Sequence, residues 1–131
     1  MIDVTCAVIF CSNNILAVQR GPTQDLPGKW EFPGGKVEQN ESEQECLIRE
    51  IREELCLDIQ LERRLHPVVH VYDRYAIRLI PFTATIKGGE LLLLEHQGYR
   101  WLSLENLDSI DWAPADWPIV YQLQDNWEEM G

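Results

Sequence analysis

The sequence predicts one α+β or mixed α/β domain. Short β-branched, apolar runs alternate with turns built from Gly, Pro, Asn and Asp. An amphipathic helix interrupts these runs near the middle, and a second helix closes the chain. At 131 residues and 45% hydrophobic, the chain can bury a core and is too apolar for a disordered segment. Neither a repeat nor a linker divides it, so residues 1–131 are read as a single domain.

Val4 to Phe10 is a strand-length apolar run that turns at Ser12-Asn13-Asn14. Ile15 to Gln19 resumes as a second strand, and the pair reads as a hairpin. Gly21 to Gly28 is a loop, with Pro22, Pro27 and Gly28 as turn formers. Trp30-Glu31-Phe32 is a short extended piece closed by Pro33-Gly34-Gly35. Residues 42–55 form a helix of about four turns. Asn40 or Ser42 can cap it, each with a Glu three residues later, at Glu43 or Glu45. Asp58 to Leu61 leads away from it. Pro67 to Tyr75 and Ile77 to Ile86 are two strands, Gly88-Gly89 a turn, and Leu91 to Leu94 an apolar run before the polar loop Glu95-His96-Gln97-Gly98. Tyr99 to Leu102 is extended. Asp116 can cap a last helix that runs to about Asn126, with Pro118 tolerated in its first turn.

Twenty-two acidic against eleven basic residues leave a net charge of −11. Long nucleic acid wants a basic surface, so a nucleic-acid polymer is not the expected partner. A single nucleotide remains compatible, because divalent cations bridge phosphate to carboxylate. No run approaches the ~20 apolar residues of a membrane span, and no signal peptide is evident, so a cytoplasmic protein without membrane contact is expected. The four cysteines show no Cys-x-x-Cys spacing, which leaves zinc and redox dithiols unsupported and favours reduced thiols.

The central helix carries the chemistry. With about 100° per residue and Glu50 at zero, Glu53 lies near −60° and Glu54 near +40°, and Glu43 joins the same face. Leu47, Ile48, Ile51 and Leu55 cluster roughly 115° away as the core stripe. Carboxylates at i, i+3 and i+4 repel: at about 6 Å and an effective dielectric near 20, each pair costs ~3 kcal/mol before screening. Arg49 and Arg52 compensate from the flanks. Hard divalent cations such as Mg²⁺ or Mn²⁺ would do so better. On its own such a face is also compatible with a solvated acidic surface.

The stretch Gly35-x5-Glu41-x7-Arg49-Glu50-Ile51-x-Glu53-Glu54-x-Cys56-Leu57 resembles the Nudix box, spanning residues 35–57. Cys56 stands where the pattern has glycine. The resemblance extends to Trp30-Glu31-Phe32-Pro33-Gly34-Gly35-Lys36, to Glu95 with Gln97 and Gly98, and to Ala113-Pro114-Ala115-Asp116-Trp117-Pro118, all similar to the MutT branch. It implies an α/β/α sandwich with a mixed sheet packed between helices. It also implies a Mg²⁺-dependent enzyme, Mn²⁺ substituting, that hydrolyses a nucleoside triphosphate to monophosphate and pyrophosphate.

By the same resemblance, Glu50, Glu53, Glu54, Glu95 and the carbonyl of Gly34 are the expected metal ligands. Glu50, Glu53 and Glu95 are the candidate bases; Arg49 is expected to orient Glu41 or Glu53 by charge-assisted hydrogen bonds rather than touch substrate, and Glu41 counts among the catalytic residues. Arg20 and Lys36 are the expected phosphate contacts, with Phe32, Tyr75 and Asp116 around the base. Glu95 could equally be a plain loop acid, Tyr72 and Tyr75 rim packing, and Asp116 a helix cap alone. Trp30, Trp101, Trp112 and Trp117 read as core anchors. His66, His70 and His96 read as structural or exposed.

A carboxylate at Asp116 accepts from an exocyclic amino group; protonated, it donates to a purine acceptor. The side chain alone therefore does not select the base. The first expectation is an oxidised purine triphosphate such as 8-oxo-dGTP, in a nucleotide-sanitising role linked to DNA repair. CTP, dCTP or a modified cytosine nucleotide is the alternative, toward which Ala113-Pro114-Ala115-Asp116 leans. An inactive nucleotide-sensing module is a third reading, disfavoured because Glu50, Glu53 and Glu54 are all present. Either a monomer or a homodimer is compatible. A glycine after the helix would permit a left-handed turn; at Cys56 either the turn carries that strain or its backbone differs, and substitution is expected to affect stability more than chemistry.

Overall fold

A computed structural model describes residues 1–130. One eight-stranded mixed sheet carries a helix on each face. The strands are β1 (Ile2–Cys11), β2 (Asn14–Gln19), β3 (Trp30–Glu31), β4 (Gly34–Lys36), β5 (Leu57–Arg64), β6 (Val68–Val71), β7 (Ala76–Gly89) and β8 (Gly98–Leu102). The helices are α1 (Glu43–Leu55) and α2 (Trp117–Met130). Among the described residues no helix is long and apolar enough to cross a membrane.

β1 is the centre of the sheet. It pairs in parallel with β7 over nine registered positions, Ile2 with Ile77 through Phe10 with Thr85, and antiparallel with β2 and β4. Strand alternation sorts its side chains. Cys6 and Val8 join the core under α2, with Val4 and Phe10 packed against it, while Ala7 and Ile9 join the core under α1. β2 repeats the division: Ile15 and Ala17 go one way, Leu16 and Val18 the other. Both faces being covered, these strands read as continuous apolar runs. The expected sandwich is the observed one.

α1 begins where the sequence places it, with Ser42 rather than Asn40 as its cap. Ser42 Oγ accepts from the Glu45 N–H at 3.0 Å, and Glu45 Oε1 accepts from the Ser42 N–H at 2.9 Å. Its Leu47, Ile51 and Leu55 are fully buried against the sheet. The helix stops at Cys56, which has φ 58° and ψ 30° and donates its N–H to the Arg52 carbonyl at 3.1 Å. Of the two alternatives, the turn keeps its left-handed conformation and Cys56 carries the strain.

Three expectations need correction, and a fourth segment gains a definite role. Asp58 to Leu61 belongs to a full strand, β5, paired antiparallel with β7 through two register shifts. Gly88-Gly89 ends β7 opposite Asp58 and Leu57 instead of forming a free turn. The apolar run Leu91 to Leu94 packs over the end of α1, its Leu92 and Leu94 N–H groups donating to the Leu55 and Glu54 carbonyls. α2 continues to Met130, although Asn126 leaves helical geometry.

Candidate active site

The glycine turn and α1 are in direct contact. A Cβ at Gly35 would overlap the Glu50 carboxyl, and one at Gly34 would overlap the Thr5 carbonyl, so neither position accepts a side chain without displacement. The Ala7 N–H donates to the Pro33 carbonyl at 2.8 Å, and Thr5 registers with Gly35. By antiparallel alternation, Gly34 is the position between them whose backbone faces away from β1.

Arg49 organises the acidic face of α1. Its Nε and Nη2 donate to Glu41 at 2.6 and 2.9 Å, and its Nη1 donates to Glu50 at 2.9 Å and Glu53 at 3.2 Å. These bonds hold Glu41 down to a pKa of about 2, with the Arg49 hydrogen bond the largest cause. Glu50 is raised, chiefly by burial, against the pull of Arg49. Glu53 projects outward, its side chain 58% exposed.

Glu54 behaves differently from its neighbours. It is only 7% exposed, because the loop at Leu92–Glu95 covers it. Burial and then the charges of Glu95, Glu50 and Glu31 push it up to about 9. Its Oε2 has no hydrogen-bond partner among the described residues. A dry carboxyl oxygen amid three other carboxylates is costly without a cation. Among the described residues no three His, Cys, Asp or Glu side chains already close on one point at ligand distance. Arg49 occupies Glu50 and Glu53, so those two must turn from it to share an ion. The orphan oxygen, the crowded like charges and the all-oxygen donor set fit a hard divalent cation.

A narrow cleft of about 50 Å³ lies beside this face, lined by Cys6, Arg20, Glu31, Phe32, Tyr72 and Asp116 among others. Phe32 is buried and stacks on Trp112 with ring centroids 4.5 Å apart. Asp116 is buried at the start of α2. Its carbonyl accepts from Ile119 and Val120, but its carboxylate turns back to accept the Phe32 N–H at 2.9 Å. Burial and then the nearby Glu31 charge push Asp116 up to about 8. A larger cavity, about 440 Å³, opens near Phe10, Ser12 and Met130 and contains none of the expected site residues.

The remaining expected contacts divide. Arg20 lines the cleft, with its Nε donating to Glu31 Oε1 at 2.8 Å and its Nη1 to the Asp25 carbonyl at 2.9 Å. Lys36 is exposed on β4, and only its carbonyl meets the site, accepting from Arg49. Tyr75 is 46% exposed and packs on Tyr72, which is the tyrosine that lines the cleft. Glu95 is exposed on the loop that covers Glu54.

Sequence reasoning missed two residues. Glu31 stands between the cleft and the acidic face, bonded to Arg20 and, through Oε2, to His96 Nε2 at 2.8 Å. His96 is buried, although it sits in a polar loop. Their pairing spans 65 positions in sequence, so only the topology brings them together.

A family model described as NUDIX domain matches residues 1–123. The CTP pyrophosphohydrolase of Escherichia coli K12 is 36% identical over 120 residues, covering 92% of this chain and 89% of that one. The 8-oxo-dGTP diphosphatase of the same organism is 28% identical over 113 residues, covering 86% and 88%. Among solved structures, the MutT protein (family Nudix hydrolase) of methicillin-resistant Staphylococcus aureus 252 aligns with a TM-score of 0.77 at 44% identity, covering 95% of each chain.

Proposed function

The chain belongs to the Nudix family, as a hydrolase of the MutT type, and on that premise we propose that it hydrolyses a nucleoside triphosphate to a monophosphate and pyrophosphate with Mg²⁺ or Mn²⁺. The observation that carries this reading is the buried Glu54 oxygen without a partner, ringed by Glu31, Glu50 and Glu95. Glu50, Glu53, Glu54, Glu95 and the outward carbonyl of Gly34 would hold the cation. When bound, the cation neutralises phosphate charge and lowers the pKa of water.

The chain's own groups do the rest. A carboxylate of the set Glu50, Glu53 and Glu95 takes the proton of the attacking water. Arg49, anchored on Glu41, orients Glu50 and Glu53 and limits where they can turn. Arg20 sits at the cleft mouth with Nη2 left for phosphate, and Lys36 adds charge from β4.

For the base we put a cytosine nucleotide first. Asp116 near pKa 8 holds a proton at neutral pH, so it presents one donor and one acceptor. That pattern matches the ring nitrogen and amino group of cytosine, and the 36% identical relative is named for CTP. The same acid pattern also matches the oxidised edge of 8-oxoguanine, and the 28% identical relative is named for 8-oxo-dGTP, which supports the second reading. Phe32, stacked on Trp112, and Tyr72 wall either base. A cytoplasmic setting accompanies this reading, since nucleotide pools lie there and all four cysteines are free.

Steady-state turnover over a panel of triphosphates with Mg²⁺ tests the choice. A kcat/KM for CTP or dCTP at least tenfold above that for 8-oxo-dGTP is expected. The reverse ratio would establish the oxidised purine instead.

A further inference from the structure

The side chain of His96 is 1% exposed, and its Nδ1 has no partner among the described residues. Its Nε2 faces the Glu31 carboxylate at 2.8 Å. A carboxylate there accepts, so the ring donates from Nε2–H, and Nδ1 is left without a partner. An apolar side chain would fill the same space without a dry nitrogen, so packing alone does not account for an imidazole.

The loop tip that contains His96 is tied at three points. Leu94 N–H donates to the Glu54 carbonyl at 3.1 Å, and Gln97 N–H donates to the Gln19 carbonyl at 3.0 Å. Between these two backbone bonds, the His96–Glu31 contact is a side-chain tether on the residue that follows Glu95. Glu31 turns its other oxygen to Arg20. One carboxylate therefore connects the Glu95 loop to the cation that lines the cleft. Repulsion among the carboxylates of Glu31, Glu50 and Glu95 works to open this tip, and the tether opposes it.

We propose that His96 is a positioning residue: by its hydrogen bond to Glu31 it holds the Glu95 loop over the acidic face of α1 and keeps Glu31 aligned for Arg20, joining the metal side of the site to the nucleotide side. The proposal rests on the reading of Glu95 as a metal-site carboxylate. Groups that orient ligands from behind in this way change metal affinity or activity by roughly 10–100-fold when removed.

The test compares His96→Leu with His96→Gln in the full chain. Mn²⁺ affinity is measured by electron paramagnetic resonance without substrate, and turnover is measured separately. His96→Leu is expected to bind Mn²⁺ about tenfold more weakly and to lose about tenfold in kcat. His96→Gln, whose amide N–H can still reach Glu31, is expected within about threefold of wild type in both. Wild-type Mn²⁺ affinity in His96→Leu, or an equal fall in both variants, would overturn the proposal. Imidazole ¹⁵N spectra of the unmodified chain give a reading that needs no variant to fold. They are expected to show a proton on Nε2, and a proton on Nδ1 alone would contradict the tether. If the wild type hydrolyses no triphosphate while the His96→Leu affinity shift persists, the functional reading fails and the positioning role stands. If turnover is present and the affinity shift is absent, the positioning role alone fails.

Discussion

Arg49 grips Glu41 with two hydrogen bonds, Nε to Oε2 at 2.6 Å and Nη2 to Oε1 at 2.9 Å, eight residues apart across the start of α1. The grip matters because Nη1 of the same guanidinium also holds Glu50 and Glu53. Released from Glu41, Arg49 would settle more fully on those two carboxylates and compete with a cation for them. Glu41→Gln is therefore expected to lower kcat by about tenfold and raise the Mg²⁺ concentration for half-maximal rate, with the nucleotide KM little changed. A kinetic titration of Mg²⁺ at saturating nucleotide reads both. A variant altered in nucleotide KM alone would place Arg49 on the substrate instead.

Cys56 carries backbone strain that glycine would relieve. At φ 58° and ψ 30° it occupies a conformation that costs an L-residue ~1–2 kcal/mol, part of which returns as the extra freedom of glycine in the unfolded chain. Cys56→Gly is expected to stabilise the protein by about 1 kcal/mol, a rise of about 3 °C in Tm by calorimetry. Its Mn²⁺ affinity should match wild type, since Cys56 caps α1 just past the acidic turn and is outside the ligand set. Altered affinity with unchanged Tm would contradict this.

Asp116 gives the cation-free protein a pH dependence of definite sign. Its folded pKa, about 8, stands above the ordinary 3.8 of an unfolded aspartate. The native state therefore keeps a proton that the unfolded chain releases. Stability from this group is full below about pH 4 and falls steadily as pH rises toward 8. Glu54, at about 9, acts in the same direction. Thermal melts in chelator between pH 5 and 8 are expected to show a falling Tm. Asp116→Asn keeps an acceptor for the Phe32 N–H but does not titrate, so its decline should be shallower. An equal slope in both proteins would remove Asp116 as a source.

Much of the architecture is legible in the residues themselves. Local signals survive folding: the Ser42–Glu45 cap, the Leu47–Ile51–Leu55 stripe, and the β1–β2 hairpin all appear as read. β5 is legible further than a lead-out over Asp58 to Leu61 suggests: Leu57, Ile59 and Leu61 alternate with Asp58, Gln60 and Glu62, and only beyond the register shift at Leu61/Arg63 does the period of two fail. Leu91 to Leu94 reads only as an apolar run, and its backbone bonds to the end of α1 carry no local signal. The burial of Glu54 could not be read from α1 alone, because a loop nearly forty residues downstream covers it. Asp116 meets Phe32 across 84 positions and His96 meets Glu31 across 65, and no local pattern encodes either contact.

The central claim is that the acidic face of α1 directs pyrophosphate release, and the most direct test is phosphorus NMR of the products. Wild type and Glu53→Gln would each be incubated with CTP and Mg²⁺. Glu53 is exposed and bonded only to Arg49 at 3.2 Å, so the substitution should leave the fold intact. Wild type is expected to give CMP and pyrophosphate, and Glu53→Gln to form them at least ~10²-fold more slowly. Release of orthophosphate, or undiminished turnover in Glu53→Gln, would contradict the account.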